Sequence, residues 1–377
     1  MNSKIASLPP SPIRLMHDRK RSSSIDLGLG QPTLLPDPAP FDAANEWVRV
    51  HGCPYAPNAG LPELRENIAS IYGGPFCGSR ENVCVTSGSQ EAIYLTIKTL
   101  LEPGRDEVLI TDPGYLSYQR CCDIEGVNCR SVRLSPEDGF SVKADDLLAA
   151  LTPATRMIML GSPANPTGSV IAEPEMQRLS GALLQRAGPP VFVAVDEVYR
   201  ELSFQPGAYR SLLELYPHTL AFQSLSKSCA LTGLRVGFLI GPPDAVAAVT
   251  RTHALLMLAV NTHAQEVALA ITREPERLSA HHGWYRRQLD LLHTLARDHQ
   301  LQIVDPQGAF FCMLRLPDRF ASSELAAEEL LESHDVVTVP GSVFGSCGEG
   351  FLRITWAAHP ADLTEGFQRI ARFFARA

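Results

Sequence analysis

The chain has 377 residues, and its 33 Lys and Arg residues are outnumbered by 41 Asp and Glu residues, which gives a net charge of −8 at neutral pH. Hydrophobic residues make up 45% of the chain and charged residues 20%, a composition typical of globular proteins and not of disordered ones. These values exclude a fibrous protein, and an acidic chain without a basic stripe or a long apolar run predicts neither nucleic-acid binding nor a membrane span.

The nine cysteines form no C-x-x-C motif, and because their number is odd they cannot all pair with one another. In a chain of this length that pattern indicates reduced thiols. The first twelve residues also lack the apolar stretch of a signal peptide. We therefore expect a cytoplasmic protein without a disulfide framework.

Short apolar runs, each ended by Gly, Pro, Asp or Ser, predict strands in the first two thirds of the chain. These runs lie at residues 25–29, 83–85, 108–110, 131–134, 157–160, 191–195, 220–222 and 236–240. Helices are predicted between them, for example at residues 90–101, 143–150 and 173–186. Alternating strands and helices indicate a largely parallel sheet, and runs that are apolar throughout indicate strands covered on both faces.

The pattern changes after Asp244. A long helical region is predicted from residue 245 towards residue 297, with a break near residue 274. Apolar segments follow at residues 308–316, 336–339 and 351–356, with helices between and after them. This part predicts a smaller α+β domain on which the Pro-rich start of the chain packs. We expect a large domain over residues 41–270 and a small domain formed by residues 1–40 and 271–377.

Polar residues follow the predicted strands at their carboxyl ends, which is the edge where open parallel sheets bind ligands. Gly88, Ser89 and Gln90 open a helix there, so they form either an anion-binding cradle or an ordinary capped helix start. Tyr115 follows the next strand and is either a stacking aromatic or a core residue. Asn165 lies in a Pro- and Gly-containing segment and is either a donor to a ligand or a turn residue.

Three charged residues extend this set. Asp196 leaves a buried strand into a poorly solvated place, where a carboxylate needs a partner unless it caps a helix. Lys227 lies among serines after another strand and is a candidate amine for a Schiff base, although a lysine in such a motif alone is typical of a surface. Arg235 follows eight residues later. As a set, these groups match the phosphate, ring, ring nitrogen and aldehyde of pyridoxal 5′-phosphate.

The sequence resembles the class I/II aminotransferases, which are fold-type I enzymes that depend on pyridoxal phosphate. The matching motifs occur in the family's order, and they are residues 55–65 (YAPNAGLPELR), 162–168 (SPANPTG), 196–199 (DEVY), 224–227 (SLSK), 233–237 (GLRVG) and 350–353 (GFLR). Their order and spacing make the match far more specific than any single motif. The resemblance implies an α/β fold, with a seven-stranded, mostly parallel sheet between helices in a large domain and a smaller α+β domain beside it.

The resemblance also implies a role for each matching residue around the cofactor's ring. Lys227 matches the lysine that forms the Schiff base and moves the proton of the substrate Cα. Asp196 matches the carboxylate that pairs with the ring nitrogen. Tyr199 and Asn165 match the groups that hydrogen-bond the phenolic oxygen, and Tyr115 matches the stacking residue.

Further matches concern the cofactor's phosphate, the substrate and the partner subunit. The implied phosphate-binding residues are Gly88, Ser89, Gln90, Ser224, Ser226 and Arg235. Tyr55 matches a tyrosine that reaches the phosphate of the neighbouring subunit, which implies a homodimer with shared active sites. Arg353 matches the arginine that binds the substrate α-carboxylate, and Gly30 and Asn165 match positions beside that carboxylate. No metal site is predicted.

The implied activity is transfer of an amino group between an L-amino acid and a 2-oxo acid by a ping-pong mechanism. The alternative is a lyase on the same fold, either a cysteine-S-conjugate β-lyase or a cyclopropane-forming synthase, because the same residues serve those reactions. Intact Lys227, Asp196 and Arg353 disfavour a regulator that has lost catalysis. Asn261, Thr262 and His263, where the family's segment faces the partner's site, are candidates for a substrate side-chain pocket, and His263 is either such a residue or a structural histidine.

Overall fold

The computed structural model describes residues 3–6, 8, 10–207 and 209–375. Its helices are α1 (Ser3–Ala6), α2 (Pro12–Asp18), α3 (Ala39–His51), α4 (Pro62–Tyr72), α5 (Ser89–Leu100), α6 (Leu116–Glu125), α7 (Ala144–Ala149), α8 (Glu173–Gln185), α9 (Leu225–Ser228), α10 (Pro243–Leu256), α11 (Thr262–Thr272), α12 (His282–Asp298), α13 (Ser323–His334) and α14 (Pro360–Ala375). Its strands are β1 (Ile25–Asp26), β2 (Val83–Thr86), β3 (Glu107–Asp112), β4 (Asn128–Arg133), β5 (Thr155–Gly161), β6 (Phe192–Asp196), β7 (Thr219–Ser224), β8 (Gly237–Ile240), β9 (Phe311–Arg315), β10 (Val336–Val337), β11 (Val339–Pro340) and β12 (Phe351–Thr355).

A seven-stranded sheet forms the centre of the molecule, in the order β2-β8-β7-β6-β5-β3-β4. Strands β3 to β7 pair in parallel, whereas β8 runs antiparallel to both β2 and β7. This confirms the predicted seven-stranded, mostly parallel sheet. The reversal at β8 follows from its connection, because the short α9 does not provide the crossover helix that a parallel return requires.

Burial of the sheet differs between its centre and its edge. Every residue of β3 and β7 is buried, as expected for strands covered by helices on both faces. The same expectation is wrong for β4, where Asn128, Arg130, Ser131 and Arg133 are exposed. The reason is its position, because β4 is the last strand of the sheet and has a neighbour on one side only.

The C-terminal part of the chain carries two further sheets. One is antiparallel in the order β11-β12-β9, and the other pairs β1 with β10 in parallel, so that Ile25 lies opposite Val336. Ile25 and Leu27 belong to the same buried cluster as Trp356 and Phe367. The N-terminal strand is therefore joined to the C-terminal part by both hydrogen bonds and apolar packing.

The predicted long helix over residues 245–297 is three helices, α10, α11 and α12, with a short 3-10 helix near the predicted break. An additional break at residues 257–261 was not predicted. It follows from local chemistry, because Leu258 has a φ of +65° and the side chain of Asn261 caps α11 by accepting from the N–H of Ala264 at 3.0 Å. The domain ranges stay a prediction, and of their residues 1, 2, 7, 9, 208, 376 and 377 lie outside the described ones.

Within the described ranges, every helix is too short or too polar to cross a membrane. The same residues contain no cluster of three potential metal ligands.

Candidate active site

A cavity of about 250 Å³ opens at the carboxyl ends of β5, β6 and β7. It is lined by Ile13, Gly30, Ser89, Gln90, Tyr115, Tyr118, Gly161, Pro163, Asn165, Asp196, Val198, Tyr199, Ser224, Ser226, Lys227, Thr232, Arg235, Phe311 and Arg353. Twelve of the fourteen predicted site residues are in this lining, and the exceptions are Gly88 and Tyr55. Residues from the first, middle and last parts of the chain thus share one cavity.

Lys227 lies in α9, directly after β7, where the side chain of Ser224 caps the helix by accepting from the N–H of Ser226. Its Nζ donates to the carbonyl of Gly30 at 2.8 Å. Burial lowers the pKa of Lys227 to about 8, an effect that the charge of Asp196 opposes. Compared with an ordinary lysine, a larger fraction of this amine is neutral near pH 7, which suits a nucleophile or a base.

Asp196 is the last residue of β6 and is buried. Its carboxylate accepts from the hydroxyl of Tyr118 at 3.3 Å and from the N–H of Val198 at 3.4 Å. Burial raises the pKa of Asp196 to about 6, although these hydrogen bonds and the charge of Lys227 lower it in part. Burial disfavours the charged form of this carboxylate. A cationic or N–H partner that enters the cavity would therefore stabilise it.

Arg353 projects from β12 and is almost completely buried. Its Nη1 donates to Oδ1 of Asn165 at 3.1 Å, and its Nη2 donates to the carbonyl of Gly28. Its Nε has no hydrogen-bond partner among the described residues. Its guanidinium lies over the ring of Phe311, with the central carbon 4.3 Å from the ring centroid. Burial lowers the pKa of Arg353 to about 10. A buried guanidinium with a free N–H is a binding group for a carboxylate.

The start of α5 and Arg235 form another part of the lining. Gly88 precedes the helix with a φ of +77°, and a Cβ at this position would lie 2.5 Å from Nη2 of Arg235. Only glycine therefore allows the guanidinium to approach the helix start this closely. The hydroxyls of Ser224 and Ser226 are 2.9 Å apart and line the same cavity. N–H groups at a helix start, hydroxyls and a guanidinium together suit a phosphate.

Two tyrosines and an amide complete the polar lining. The hydroxyl of Tyr115 donates to Oε1 of Gln90 at 3.2 Å, and its ring lies edge-on to Tyr118. Burial raises the pKa of Tyr199 well above its usual value, so its hydroxyl stays protonated and remains a donor. Asn165 accepts from Arg353 through its oxygen, which leaves its amide N–H groups to donate into the cavity.

Several predicted residues lie elsewhere in this chain. Tyr55 is 87% exposed, and the expected contact with a neighbouring subunit stays a prediction. Asn261, Thr262 and His263 do not line the cavity of their own chain. Thr262 donates to the carbonyl of Pro54 at 2.7 Å, and Nε2 of His263 lies 2.8 Å from Oδ1 of Asn45.

The lining residues that were not predicted as site residues include Tyr118, Ile13 and Phe311. Tyr118 contacts Asp196 directly. It lies three residues after Tyr115, the N-cap of α6, so helix periodicity could have predicted that the two side chains are neighbours. Ile13 comes from α2 and Phe311 from β9, and neither lies in a motif or at the carboxyl end of a strand of the large sheet. Only the folded chain brings these two residues to the cavity.

Comparison with known proteins assigns this chain to a family. The sequence model described as "Aminotransferase class I and II" matches residues 23–370. The chain therefore belongs to the class I and II aminotransferases, and it is a pyridoxal-phosphate-dependent aminotransferase of fold type I, as predicted.

Individual relatives align with this chain over almost their whole length. The chain is 30% identical to an aspartate aminotransferase of Pyrococcus horikoshii, with 98% of this chain and 96% of the relative covered. It is 31% identical to a probable N-acetyl-LL-diaminopimelate aminotransferase of Bacillus subtilis, over 99% of this chain and 95% of the relative. The solved structure of an aspartate aminotransferase from Thermus thermophilus with maleate matches with a TM-score of 0.92 and 27% identity, covering 99% of both chains. These relatives are aminotransferases, and none of them supports the lyase alternative.

The cavity fits pyridoxal 5′-phosphate by the chemistry of its donors. It offers a buried carboxylate for the ring nitrogen, an amine of lowered pKa for the aldehyde, and a glycine-bounded cradle for the phosphate. Arg353 adds a buried cation to the same lining.

Proposed function

We propose that this protein transfers amino groups between L-amino acids and 2-oxo acids in this cavity, with Lys227 as the catalytic residue. The observation that carries the proposal is the amine of Lys227, which has a lowered pKa and shares one cavity with Asp196 and Arg353. Bound pyridoxal 5′-phosphate supplies an aldehyde and an electron-withdrawing ring that carry the amino group between the two half-reactions. Alternation between two substrates at one site predicts ping-pong kinetics.

The residues around Lys227 have separate tasks in this proposal. Arg353 binds the α-carboxylate of the substrate beside Gly30 and Asn165, which orients the Cα–H bond towards Nζ of Lys227. Nζ then takes the Cα proton. Asp196 stabilises positive charge on the ring nitrogen, and Tyr118 orients that carboxylate. Tyr199 and Asn165 donate to the phenolic oxygen, and Tyr115 covers the ring.

The phosphate-binding residues in this proposal are those at the start of α5 together with those that follow β7. The N–H groups of Ser89 and Gln90 lie at the positive end of the helix dipole, and Gly88, whose own N–H donates to the carbonyl of Thr86 at 2.8 Å, shapes the turn before them. Ser224 and Ser226 add hydroxyl donors, and Arg235 adds a fixed cation. These residues would hold the phosphate and so anchor the cofactor's ring beside Lys227.

Replacing Arg353 with lysine tests the proposed substrate contact. We expect kcat/KM for the amino donor to fall by about 10–150-fold, because hydrogen bonds to charged groups contribute about 1.5–3 kcal/mol and lysine does not reproduce the planar pair. The fall is expected mainly as a higher KM in steady-state kinetics. The matched control is Arg315→Lys on the neighbouring strand β9, since Arg315 is outside the cavity lining. Equal KM values in wild type and Arg353→Lys would refute the assignment.

We propose further that the enzyme is a homodimer in which Tyr55 reaches the phosphate in the partner's site. Its support is the high exposure of this aromatic side chain, because tyrosine is enriched at protein–protein interfaces. Nine free thiols among the described residues also support a reducing, cytoplasmic location.

Hybrid dimers distinguish a shared site from a separate one. In a hybrid of one Lys227→Ala chain and one Tyr55→Ala chain, a shared arrangement leaves one site with both residues intact. We expect such purified hybrids to show about half of the wild-type activity per dimer, measured at limiting cofactor. If Tyr55 serves its own chain, both sites carry a defect, and the activity stays at the level set by the Tyr55→Ala site.

A further inference from the structure

A buried histidine lies behind the start of α5, outside the cavity lining. His253 of α10 is fully buried, and its Nδ1 lies 3.0 Å from Oε1 of Glu91. The other carboxylate oxygen, Oε2, accepts from the backbone N–H of Ser87 at 2.5 Å. Because a carboxylate oxygen accepts hydrogen bonds, Nδ1 carries the proton in this contact. One carboxylate thus joins α10 to the loop that precedes α5.

The contact between Glu91 and Ser87 fixes the backbone at the start of α5. Glu91 is the third residue of this helix, and Gly88 is its N-cap. In a capping box the side chain of the third residue binds the N–H of the N-cap, whereas here it binds the N–H one residue earlier. The bond therefore holds the turn through Ser87 and Gly88, whose positive φ allows the close approach of Arg235.

The position of the Glu91 carboxylate also matters for anion binding. A carboxylate in the first turn of a helix is attracted by the same N–H groups that suit a phosphate, and it repels a phosphate placed there. His253 offers this carboxylate a hydrogen bond from α10, and no residue of α10 lines the cavity. Nε2 of His253 is buried without a hydrogen-bond partner in the described part of the chain. The contact with Glu91 is thus the polar interaction that orients the imidazole.

We propose that His253 is a positioning residue for the phosphate of the cofactor. It holds Glu91 on the N–H of Ser87, and this keeps the turn at Gly88 and the N–H groups of α5 in the arrangement that accepts a phosphate ester. The inference rests on the proposed function, in which Gly88, Ser89, Gln90 and Arg235 bind that phosphate. We do not expect His253 or Glu91 to contact the cofactor itself.

The test compares two ligands that differ only in the phosphate. Dissociation constants of the full-length protein, freed of cofactor, are measured by fluorescence titration with pyridoxal 5′-phosphate and with pyridoxal. In His253→Leu we expect the affinity for pyridoxal 5′-phosphate to fall by about 5–100-fold, since a partner lost from a buried polar group costs about 1–3 kcal/mol. The affinity for pyridoxal is expected to stay within about twofold of wild type, because pyridoxal does not use the cradle.

Two further variants test whether the lost affinity for pyridoxal 5′-phosphate comes from the missing hydrogen bond to Glu91 or from a change in packing. His253→Asn retains an amide N–H near the place of Nδ1 and is expected to restore most of the affinity for pyridoxal 5′-phosphate. The matched control is Thr252→Val, which removes the 3.0 Å hydrogen bond between Thr252 and Thr99 that joins the same two helices away from the cradle. This control is expected to bind both ligands like wild type.

The outcomes distinguish this inference from the proposed function. Equal losses for both ligands in His253→Leu, or an unchanged affinity for pyridoxal 5′-phosphate, would overturn the positioning role. If His253→Leu does not fold, His253→Phe takes its place, because it keeps an aromatic ring but has no N–H for Glu91. The same selective loss is then expected, and wild-type affinity would overturn the inference. A wild-type protein that binds neither ligand would contradict the proposed function itself.

Discussion

Replacing Lys227 with alanine is expected to abolish transamination, with kcat reduced by about 10⁴-fold or more. The change removes both the amine that binds the cofactor's aldehyde and the base that takes the Cα proton, and base catalysis alone contributes about 10²–10⁴-fold. The measurement is the rate of 2-oxo acid formation by the purified variant, together with its visible absorbance in the presence of pyridoxal 5′-phosphate.

Two control variants test whether the loss of activity comes from the missing amine, from the missing positive charge, or from the removal of any lysine. Lys227→Arg keeps a cation but not an amine that is neutral near pH 7, so it is expected to be as inactive as Lys227→Ala. Lys143→Ala removes a half-buried lysine outside the cavity lining that pairs with Asp138 at 3.6 Å, and it is expected to retain full activity. Wild-type turnover in Lys227→Ala would refute the assignment of the catalytic residue.

The second large effect is expected for Asp196→Asn. An asparagine has nearly the same shape as aspartate but no charge, so a cationic ring nitrogen loses its buried partner. Removing one member of a buried ion pair costs about 3–5 kcal/mol, which corresponds to about 10²–10⁴-fold in kcat. Single-turnover rates with an amino acid, recorded from the cofactor's absorbance, measure this loss directly.

The neighbouring carboxylate provides the control for Asp196. Glu197 is also fully buried, but its oxygens accept from Ser211 at 2.6 Å and Gln223 at 3.1 Å, and it lies outside the cavity lining. Glu197→Gln is expected to lower thermal stability while kcat stays within about tenfold of wild type, because the residue supports packing and not the reacting groups. A larger kcat loss in Glu197→Gln than in Asp196→Asn would contradict the proposed role of Asp196.

The sequence alone predicts the site residues that lie at the carboxyl ends of the parallel strands. Tyr115, Asn165, Asp196 and Lys227 each lie at or shortly after the end of a strand. The carboxyl ends of parallel strands meet at one edge, so their convergence was expected. Arg353 follows no strand of this sheet, and only the family resemblance predicted its place. The edge position of β4 depends on strand order, which local patterns do not encode.

Other features arise only from packing between distant elements. Ile13 and Phe311 enter the cavity because α2 and β9 are placed against the large sheet's edge, and no motif marks either residue. His253 is a single histidine in a helix, and its contact with Glu91, 162 residues earlier in the chain, depends on how α10 packs near α5. A sequence read by itself offers no sign of that pair.

The most direct test of the account is a pair of absorbance spectra of the purified protein, recorded before and after adding a mixture of amino acids without any 2-oxo acid. We expect that the visible band of the bound cofactor disappears, that absorbance in the near ultraviolet rises, and that about one 2-oxo acid is released per site, as in the first half of a ping-pong reaction. A visible band that persists while ammonia and pyruvate accumulate would contradict the account in favour of a lyase. The absence of any visible band after addition of pyridoxal 5′-phosphate would contradict the assignment of Lys227.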